Sequence, residues 1–364
     1  MMNAAVLVYA VFASLLFVGL AYIDTSNYLG RRRRRQRRAL HKVNYNPRVL
    51  VIIPCKGVDR TLYENLLSVK RQSYINYSII CVVDSNNDAS LPVIRKAGLR
   101  YMVSSAGCKA CSGKVRAVLT ALELLKGYDV YVIADSDITV PASWLYHIVY
   151  PLHDRHTGLS SMFPRFEPRG GFWSRVKLVW GFVGDGLMQH ESTRFGWGGS
   201  LAFRRDLLDR ASVKFLGDSK YSVSDDICLT KIAKGKGLGI AYVAESRPYV
   251  NSYDNFAGFV EWANRQTALS ILGYGKTLYM GLAFYSAEAI TLLSGIILAY
   301  YASPFFILLL AHYLKNAFFV HRASGLGIAS AALISLIMPF IYMANLVYAS
   351  RMHEITWRGT TYKI

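Results

Sequence analysis

The sequence predicts an α/β domain with transmembrane helices at both ends, and three observations predict it. Strand-like and helix-like patterns alternate from Asn46 to about Asp254, the arrangement that builds a sheet with covering helices. Long uncharged apolar stretches occupy the two ends of the 364-residue chain, 53% of which is hydrophobic. Finally, the apolar run Val130–Ala134 leads into Asp135-Ser136-Asp137. Alternate residues of a strand share a face, so Asp135 and Asp137 aim their carboxylates at one point.

From the N-terminus, Ala4–Ile23 carries no charge and has the roughly 20 residues that a bilayer span takes. Residues 1–30 form a signal anchor and 31–45 a polybasic juxtamembrane segment, in which Arg31–Arg38 reads RRRRRQRR. Lys and Arg beside a span mark its cytoplasmic side, and basic residues after the apolar run reverse the order of a cleavable signal peptide. The expectation is a multi-pass protein of the cell membrane whose globular domain faces the cytoplasm. Each basic residue near an anionic leaflet is worth about 1 kcal/mol, which makes anionic lipid headgroups a partner. A topology signal alone is the competing reading. The net charge of +19 raises the question of nucleic acid, but the arginine run has no interleaved aromatics on which bases could stack. No nucleic-acid partner is expected.

The globular domain, residues 46–254, opens on Arg48–Cys55 (RVLVIIPC), a strand buried on both faces. Asp59 is expected to cap a helix reaching about Gln72. Tyr77–Asp84 and Arg100–Ser104 read as further strands, and Lys114–Lys126 as the helix before the Asp135 strand. In such sheets ligands sit beyond the carboxyl ends of the strands, where Asp84, Asp135 and Asp137 all fall. Two hard oxygens there suit Mg2+ or Mn2+ carrying a diphosphate; a plain acidic turn is the alternative. Gly170–His190 is an amphipathic helix, either core or interfacial, and Gly196–Ser200 (GWGGS) a loop that lets backbone approach a ligand. Ser224 or Asp225 caps a helix running to Lys234.

An interfacial helix follows at 255–277, with the helical pattern over Asn255–Leu272, then membrane helices at 278–350 and a membrane-proximal tail at 351–364. Leu278–Leu314 is long enough for one or two passes and Gly325–Ala349 for one. The charge rule keeps the basic tail inside, with part of Leu278–Tyr301 in the interface. Five cysteines in a cytosolic domain do not make a disulfide framework, and Cys108 and Cys111 read as free thiols in a loop.

IIPCKG on the first strand, VVDS at Asp84, SGKVRAVLTAL at Lys114, ADSD at Asp135, GWGGSLAFRRDLL, SDDICLTKIAKGKG and the terminal ITWRGTTYKI occur in one order. In these motifs the chain resembles inverting nucleotide-sugar glycosyltransferases of the family-two type, most closely the ceramide glucosyltransferase-like branch. The resemblance implies a GT-A fold. It implies that Asp84 holds the uracil or ribose side, that Lys114 contacts the nucleotide or its phosphates, and that Asp135 and Asp137 bind Mg2+ or Mn2+. It makes Asp226 the catalytic base, with Asp225 beside it. Burial and a like-charged neighbour would raise the pKa of Asp226 and so strengthen it as a base; an acidic helix N-terminus is the competing reading.

The chain departs from the family's Gln- or Arg-x-x-Arg-Trp signature. It reads Glu261-Trp262-Ala-Asn-Arg265-Gln266, which leaves Arg265 for the phosphate contact and Trp262 for the acceptor side. A Glu261–Arg265 ion pair at i,i+4 is the competing explanation. Trp357-Arg358-Gly359 is either part of a tail covering the active site or an anchor at the membrane interface. The implied reaction moves a hexose from a nucleotide-sugar donor to a lipid acceptor at the cytoplasmic face, with glucose from UDP-glucose as the best guess. A polyprenyl-phosphate sugar synthase, a polysaccharide synthase and a basic membrane scaffold are the rivals.

Overall fold

A computed structural model describes residues 4–37, 44–108 and 111–364. In chain order the elements are helix α1 (Ala4–Arg37), β1 (Val49–Cys55), α2 (Leu62–Lys70), β2 (Tyr77–Val83), α3 (Leu91–Lys96), β3 (Tyr101–Val103), α4 (Gly113–Leu124) and β4 (Val130–Ala134). There follow β5 (Ile138–Thr139), α5 (Trp144–Val149), β6 (Thr157–Ser161), β7 (Arg165–Pro168), α6 (Phe172–Leu187), β8 (Ser200–Arg204), α7 (Arg210–Asp218) and α8 (Asp225–Gly235). The chain ends with β9 (Gly239–Tyr242), β10 (Tyr249–Ser252), α9 (Phe256–Gly273), α10 (Thr277–Tyr301), α11 (Ala311–Ser324), α12 (Ile328–Ala349), β11 (Glu354–Trp357) and β12 (Thr360–Lys363). Two units result. The sheet unit takes the chain up to Arg169, then Gly184–Tyr253 and His353–Ile364; the helical unit takes α1, Gly170–Val183 and Asp254–Met352.

The sheet unit is built on a seven-stranded sheet of order β3-β2-β1-β4-β8-β6-β9. β1 pairs in parallel with both β2 and β4, and its apolar residues are buried on both faces. That is why VLVIIPC reads as an unbroken apolar run instead of an alternating one. Beyond β4 the sheet turns antiparallel, first to β8 and then to β6. α4 covers one face, packing Val115, Val118 and Leu119 with Leu50, Ile52, Tyr131 and Phe203. Ser112 caps α4, its hydroxyl accepting from the Val115 N–H at 3.2 Å.

Three local expectations are corrected. α2 begins at Leu62 after Thr61, and Asp59 makes no side-chain cap there; its carboxylate is taken by Arg358. Cys108 and Cys111 are joined to each other instead of standing as free thiols, whereas Cys55, Cys81 and Cys228 are free and buried. Gly325 does not open the last span: it ends α11 in the left-handed conformation (φ 74°) that favours glycine, and α12 starts at Ile328.

In the helical unit, four helices among the described residues are long and apolar enough to cross a membrane: Ala4–Ile23, Thr277–Tyr301, Pro304–Ser324 (a 3₁₀ stretch continued by α11) and Ile328–Ala349. Thr277–Tyr301 is one continuous helix. Arg31–Arg37 prolong α1, whereas Arg38 and residues 39–43 of the basic segment lie outside the described residues. Asn255 caps α9, its side-chain oxygen accepting from the Gly258 N–H at 2.9 Å. Val176, Val179, Phe259, Ile334 and Met338 form part of this unit's core.

Candidate active site at the carboxyl end of the sheet

Asp84 follows β2, Asp135 and Asp137 follow β4, and all three stand at carboxyl ends of parallel strands. Lys114 joins the groups. It is presented from the first turn of α4, with Nζ 2.6 Å from Asp135 Oδ1 and 3.4 Å from Asp225 Oδ1. Its neighbour Gly113 lies against Asp84: a Cβ there would stand 3.3 Å from Asp84 Oδ1. Asp84 Oδ2 in turn pairs with Lys56 at 2.9 Å. The Asp84, Asp135 and Asp225 carboxylates, far apart in sequence, thus gather around the start of one helix.

The two acids at the start of α8 divide sharply. Asp225 is 2% exposed, and its Oδ2 has no hydrogen-bond partner. Asp226 is half-buried and well supplied with donors. The Gly198 N–H donates to its Oδ2 at 3.1 Å; the Ile227 N–H donates to Oδ1 at 2.8 Å, as does the Ser224 hydroxyl. Ser224 therefore caps α8 by backbone position while its side chain turns to Asp226. Gly198 is needed here for a close approach, because a Cβ would come within 2.8 Å of Lys114 Nζ and 3.0 Å of the Asp225 oxygens.

These environments set the charges. Burial raises the Asp225 carboxyl, Lys114 opposes the rise, and the charges of Asp226 and Asp135 add to it, leaving the group at about 6. Of the two adjacent aspartates, Asp225 is the one enclosed by the fold. Lys114 shows the converse. Burial alone would lower its pKa, but the charges of Asp135, Asp225 and Asp226 and the hydrogen bond to Asp135 outweigh it, so the ammonium holds its proton beyond its ordinary range.

The donor set can be tested against a divalent ion. Among the described residues no three His, Cys, Asp or Glu side chains cluster tightly enough to hold a metal by themselves. Asp135 and Asp137 offer carboxylate oxygens from either side of the buried Ser136, and Lys114 occupies Asp135 Oδ1. Such a pair suits Mg2+ or Mn2+ only when phosphate oxygens complete the coordination. The residues therefore fit a metal that arrives with a diphosphate.

The C-terminal tail supplies residues that sequence reasoning did not assign to the site. β11 and β12 form a hairpin turning at Arg358-Gly359. Lys56 Nζ donates to Thr360 Oγ1 at 3.0 Å, and the Gly113 N–H donates to the Tyr362 hydroxyl at 3.2 Å. Arg358 Nη2 donates to Asp59 Oδ2 at 2.7 Å. Burial works against the Arg358 charge, but that bond and the charges of Asp59, Asp137 and Asp135 raise its pKa further. Of the two sequence readings of Trp357-Arg358-Gly359, these contacts match the covering tail. Lys56 directly follows β1, and this placement was a usable signal for it.

Trp262 and Arg265 belong to the helical unit. Lys177 Nζ lies 4.5 Å from the centre of the Trp262 ring, which meets Trp180 edge-on. Arg265 Nη1 is 4.0 Å from Glu261 Oε1, the i,i+4 pair that competed with a phosphate role.

A solved structure shares the fold, and others match over part of the chain. A mannosyltransferase from Pyrobaculum calidifontis, in complex with GDP-Man and Mn2+, matches over 95% of this chain and 97% of its own, with a TM-score of 0.54 and 20% identity. Glucosyl-3-phosphoglycerate synthase from Mycobacterium tuberculosis matches over 65% of this chain and 86% of its own, with a TM-score of 0.43 and 17% identity. The sheet unit is GT-A-like, a mixed α/β fold around a central sheet. The model of Glycosyl transferase family 21 matches residues 11–364, so nearly the whole chain is accounted for, and the protein belongs to that family.

Proposed function

We propose that this glycosyltransferase transfers a hexose, with inversion, from a nucleotide sugar to a lipid acceptor at the cytoplasmic face of the membrane, as in the ceramide glucosyltransferase-like branch. The best guess for the donor is UDP-glucose. The observation that carries the reading is the junction at Lys114, where the acids of β4 and α8 meet one cation. Asp135 and Asp137 would hold Mg2+ or Mn2+, which supplies positive charge for the departing diphosphate. GDP-Man and Mn2+ in the Pyrobaculum mannosyltransferase, and UDP with Mn2+ in the mycobacterial synthase, belong to the same chemistry.

The bond from the anomeric carbon to the diphosphate oxygen breaks as the acceptor hydroxyl attacks from the opposite face, and the hydroxyl proton passes to a carboxylate. Asp226 takes this role and Asp225 does not. Asp226 is half-buried and can be reached, and its three donors hold the carboxylate in one orientation. Asp225 is enclosed beside Lys114, where it fixes the lysine that faces the donor.

The hairpin bears on topology as well. It belongs to the same unit as β1, which supports an even number of membrane crossings between Tyr253 and His353. One of the three C-terminal helices then fails to span. Pro304–Ser324 is the weakest of them, with mean hydropathy 1.2 against 1.7 and 1.8, and it carries Lys315 and Arg322. This favours Pro304–Ser324 over Thr277–Tyr301 as the interfacial segment and keeps tail and catalytic residues on the side marked by the arginine run.

The test is a screen of UDP- and GDP-hexoses with purified protein and a lipid extract, read by the mass of the glycosylated lipid. A hexose added to a lipid hydroxyl supports the reading, and loss of transfer in Asp226→Asn supports the base. Product formed on a lipid phosphate, with Asp226→Asn fully active, points to a polyprenyl-phosphate sugar synthase. No transfer and no nucleotide binding would leave a scaffold.

A further inference from the structure

The hairpin touches the residues that hold the site's acids. Lys56, which bonds Thr360, also pairs with Asp84; Gly113, which bonds Tyr362, starts the helix that presents Lys114. Thr360 and Tyr362 are two apart on β12 and lie on its less exposed face, while Thr361 and Lys363 face outward. An isolated two-stranded hairpin is marginal in water, so these contacts and the buried Ile355 are what seat it. The turn is the unusual part. Arg358 has φ 50° and Gly359 φ 75°. Two-residue turns of this hand prefer Asn-Gly or Gly-Gly, because a larger side chain is disfavoured in the left-handed region. An arginine there gives up local stability, and residues held in such conformations cluster at ligand clamps.

We propose that Arg358 is a donor-binding residue, brought by the C-terminal hairpin to the diphosphate of the nucleotide sugar. The inference rests on the proposed glycosyl transfer. Asp135 and Asp137 bring negative charge to the place where a diphosphate must lie, and their charges act on the Arg358 guanidinium. Among the described residues Asp59 accepts from Nη2, one of five guanidinium N–H groups, and the others can address phosphate oxygens. The planar fork fits phosphate geometry, which a lysine at this turn would not reproduce. Asp59 is a positioning residue: it orients the fork without touching the donor.

The experiment uses the full chain in lipid nanodiscs at fixed Mn2+, titrated with UDP, UMP, GDP and GMP. Arg358→Asn is the informative variant, since asparagine accepts the left-handed turn and keeps the hairpin. Losing a charged hydrogen bond to the diphosphate should weaken nucleoside diphosphate binding about tenfold to a hundredfold, with monophosphate binding changed less than about twofold. Arg358→Lys should recover only part of the loss, and Asp59→Asn should weaken the diphosphate less than Arg358→Asn does. Equal losses for mono- and diphosphates, or no loss at all, would overturn the proposal and leave Arg358–Asp59 as a latch. If the wild-type chain binds none of the four nucleotides, the proposed function falls and takes this inference with it.

Discussion

The sheet unit and the helical unit use polar groups in opposite ways. In the helical unit several charged and amide side chains close on one another, while the neutral Trp180 Nε1 and Ser335 Oγ are buried without a hydrogen-bond partner among the described residues. Glu288 bonds His312 at 2.9 Å, Asn345 donates to Asn264 at 2.6 Å and accepts from Thr267, and Lys177 pairs with Asp254 at 3.1 Å. Such closed sets satisfy polar groups that are buried away from water. At the carboxyl end of the sheet the accounts stay open: Asp225 Oδ2 is buried without a partner, and Asp135 and Asp225 share one lysine. Burying a carboxylate oxygen without a partner costs more than orphaning a neutral hydroxyl or indole N–H, so Asp225 stands out among the buried unpaired groups. Substitutions in the two units should therefore fail differently, one in ligand handling and the other in stability.

The largest expected effect is that of Asp226→Asn. Removing a general base costs about 10²–10⁴-fold in kcat. Nucleotide affinity should stay within about twofold, since the proposed reaction sets Asp226 against the acceptor and not the nucleotide. Steady-state transfer assays beside nucleotide titration check both, and an active Asp226→Asn enzyme breaks the comparison at its centre.

Lys114→Met comes next. It leaves Asp225 buried without its cation, and breaking a buried pair from one side costs about 3–5 kcal/mol. Nucleoside diphosphate binding should be lost as well. Lys114→Met/Asp225→Asn separates the two roles: the neutral amide should restore most of the thermal stability but none of the binding. Recovery of binding would show that Lys114 serves only to neutralise its neighbours.

Much of this site was legible in the chain before its fold was known. β1, β2 and β4 were visible because strands buried on both faces leave continuous apolar runs, and their carboxyl ends located Asp84, Asp135 and Asp137. The helical pattern beginning at Asn255 and the start of α8 at Asp225 were equally local signals. What was not legible depends on distant partners. Which of two adjacent aspartates is buried is decided by Lys114, on a helix more than a hundred positions earlier. Asp59 looked like a helix cap because its true partner, Arg358, lies 299 positions away. No local pattern records such a pairing.

The pH dependence of stability sharpens the contrast between the two aspartates. Asp225 stands at about 6 in the folded chain against 3.8 for an ordinary carboxyl, so the fold binds this proton more tightly than the unfolded chain does. Its contribution is complete below about pH 3.8 and is lost as the pH rises through about 6. At about 1.4 kcal/mol per pH unit the decline is at most about 3 kcal/mol. Thermal unfolding between pH 4.5 and 7.5 should show it in the wild type and not in Asp225→Asn, which cannot titrate. A decline of equal size in both would assign it to other groups.

The smallest effect is expected in the helical unit, and it tests the other half of the comparison. Glu288→Leu removes the acceptor that holds His312, while Asn316 still meets the ring at 3.0 Å. A buried group left without its partner costs about 1–3 kcal/mol, so the thermal midpoint should fall. Replacing both partners with apolar residues, Glu288→Leu/His312→Leu, should return part of that loss, because the half-buried Asn316 amide alone is then left without these two partners. Nucleotide affinity should not move in either variant, since the closed set has no open valence to offer a ligand. A change in donor affinity from Glu288→Leu would mean that the helical unit handles ligand as well, and the division drawn between the two units would not stand.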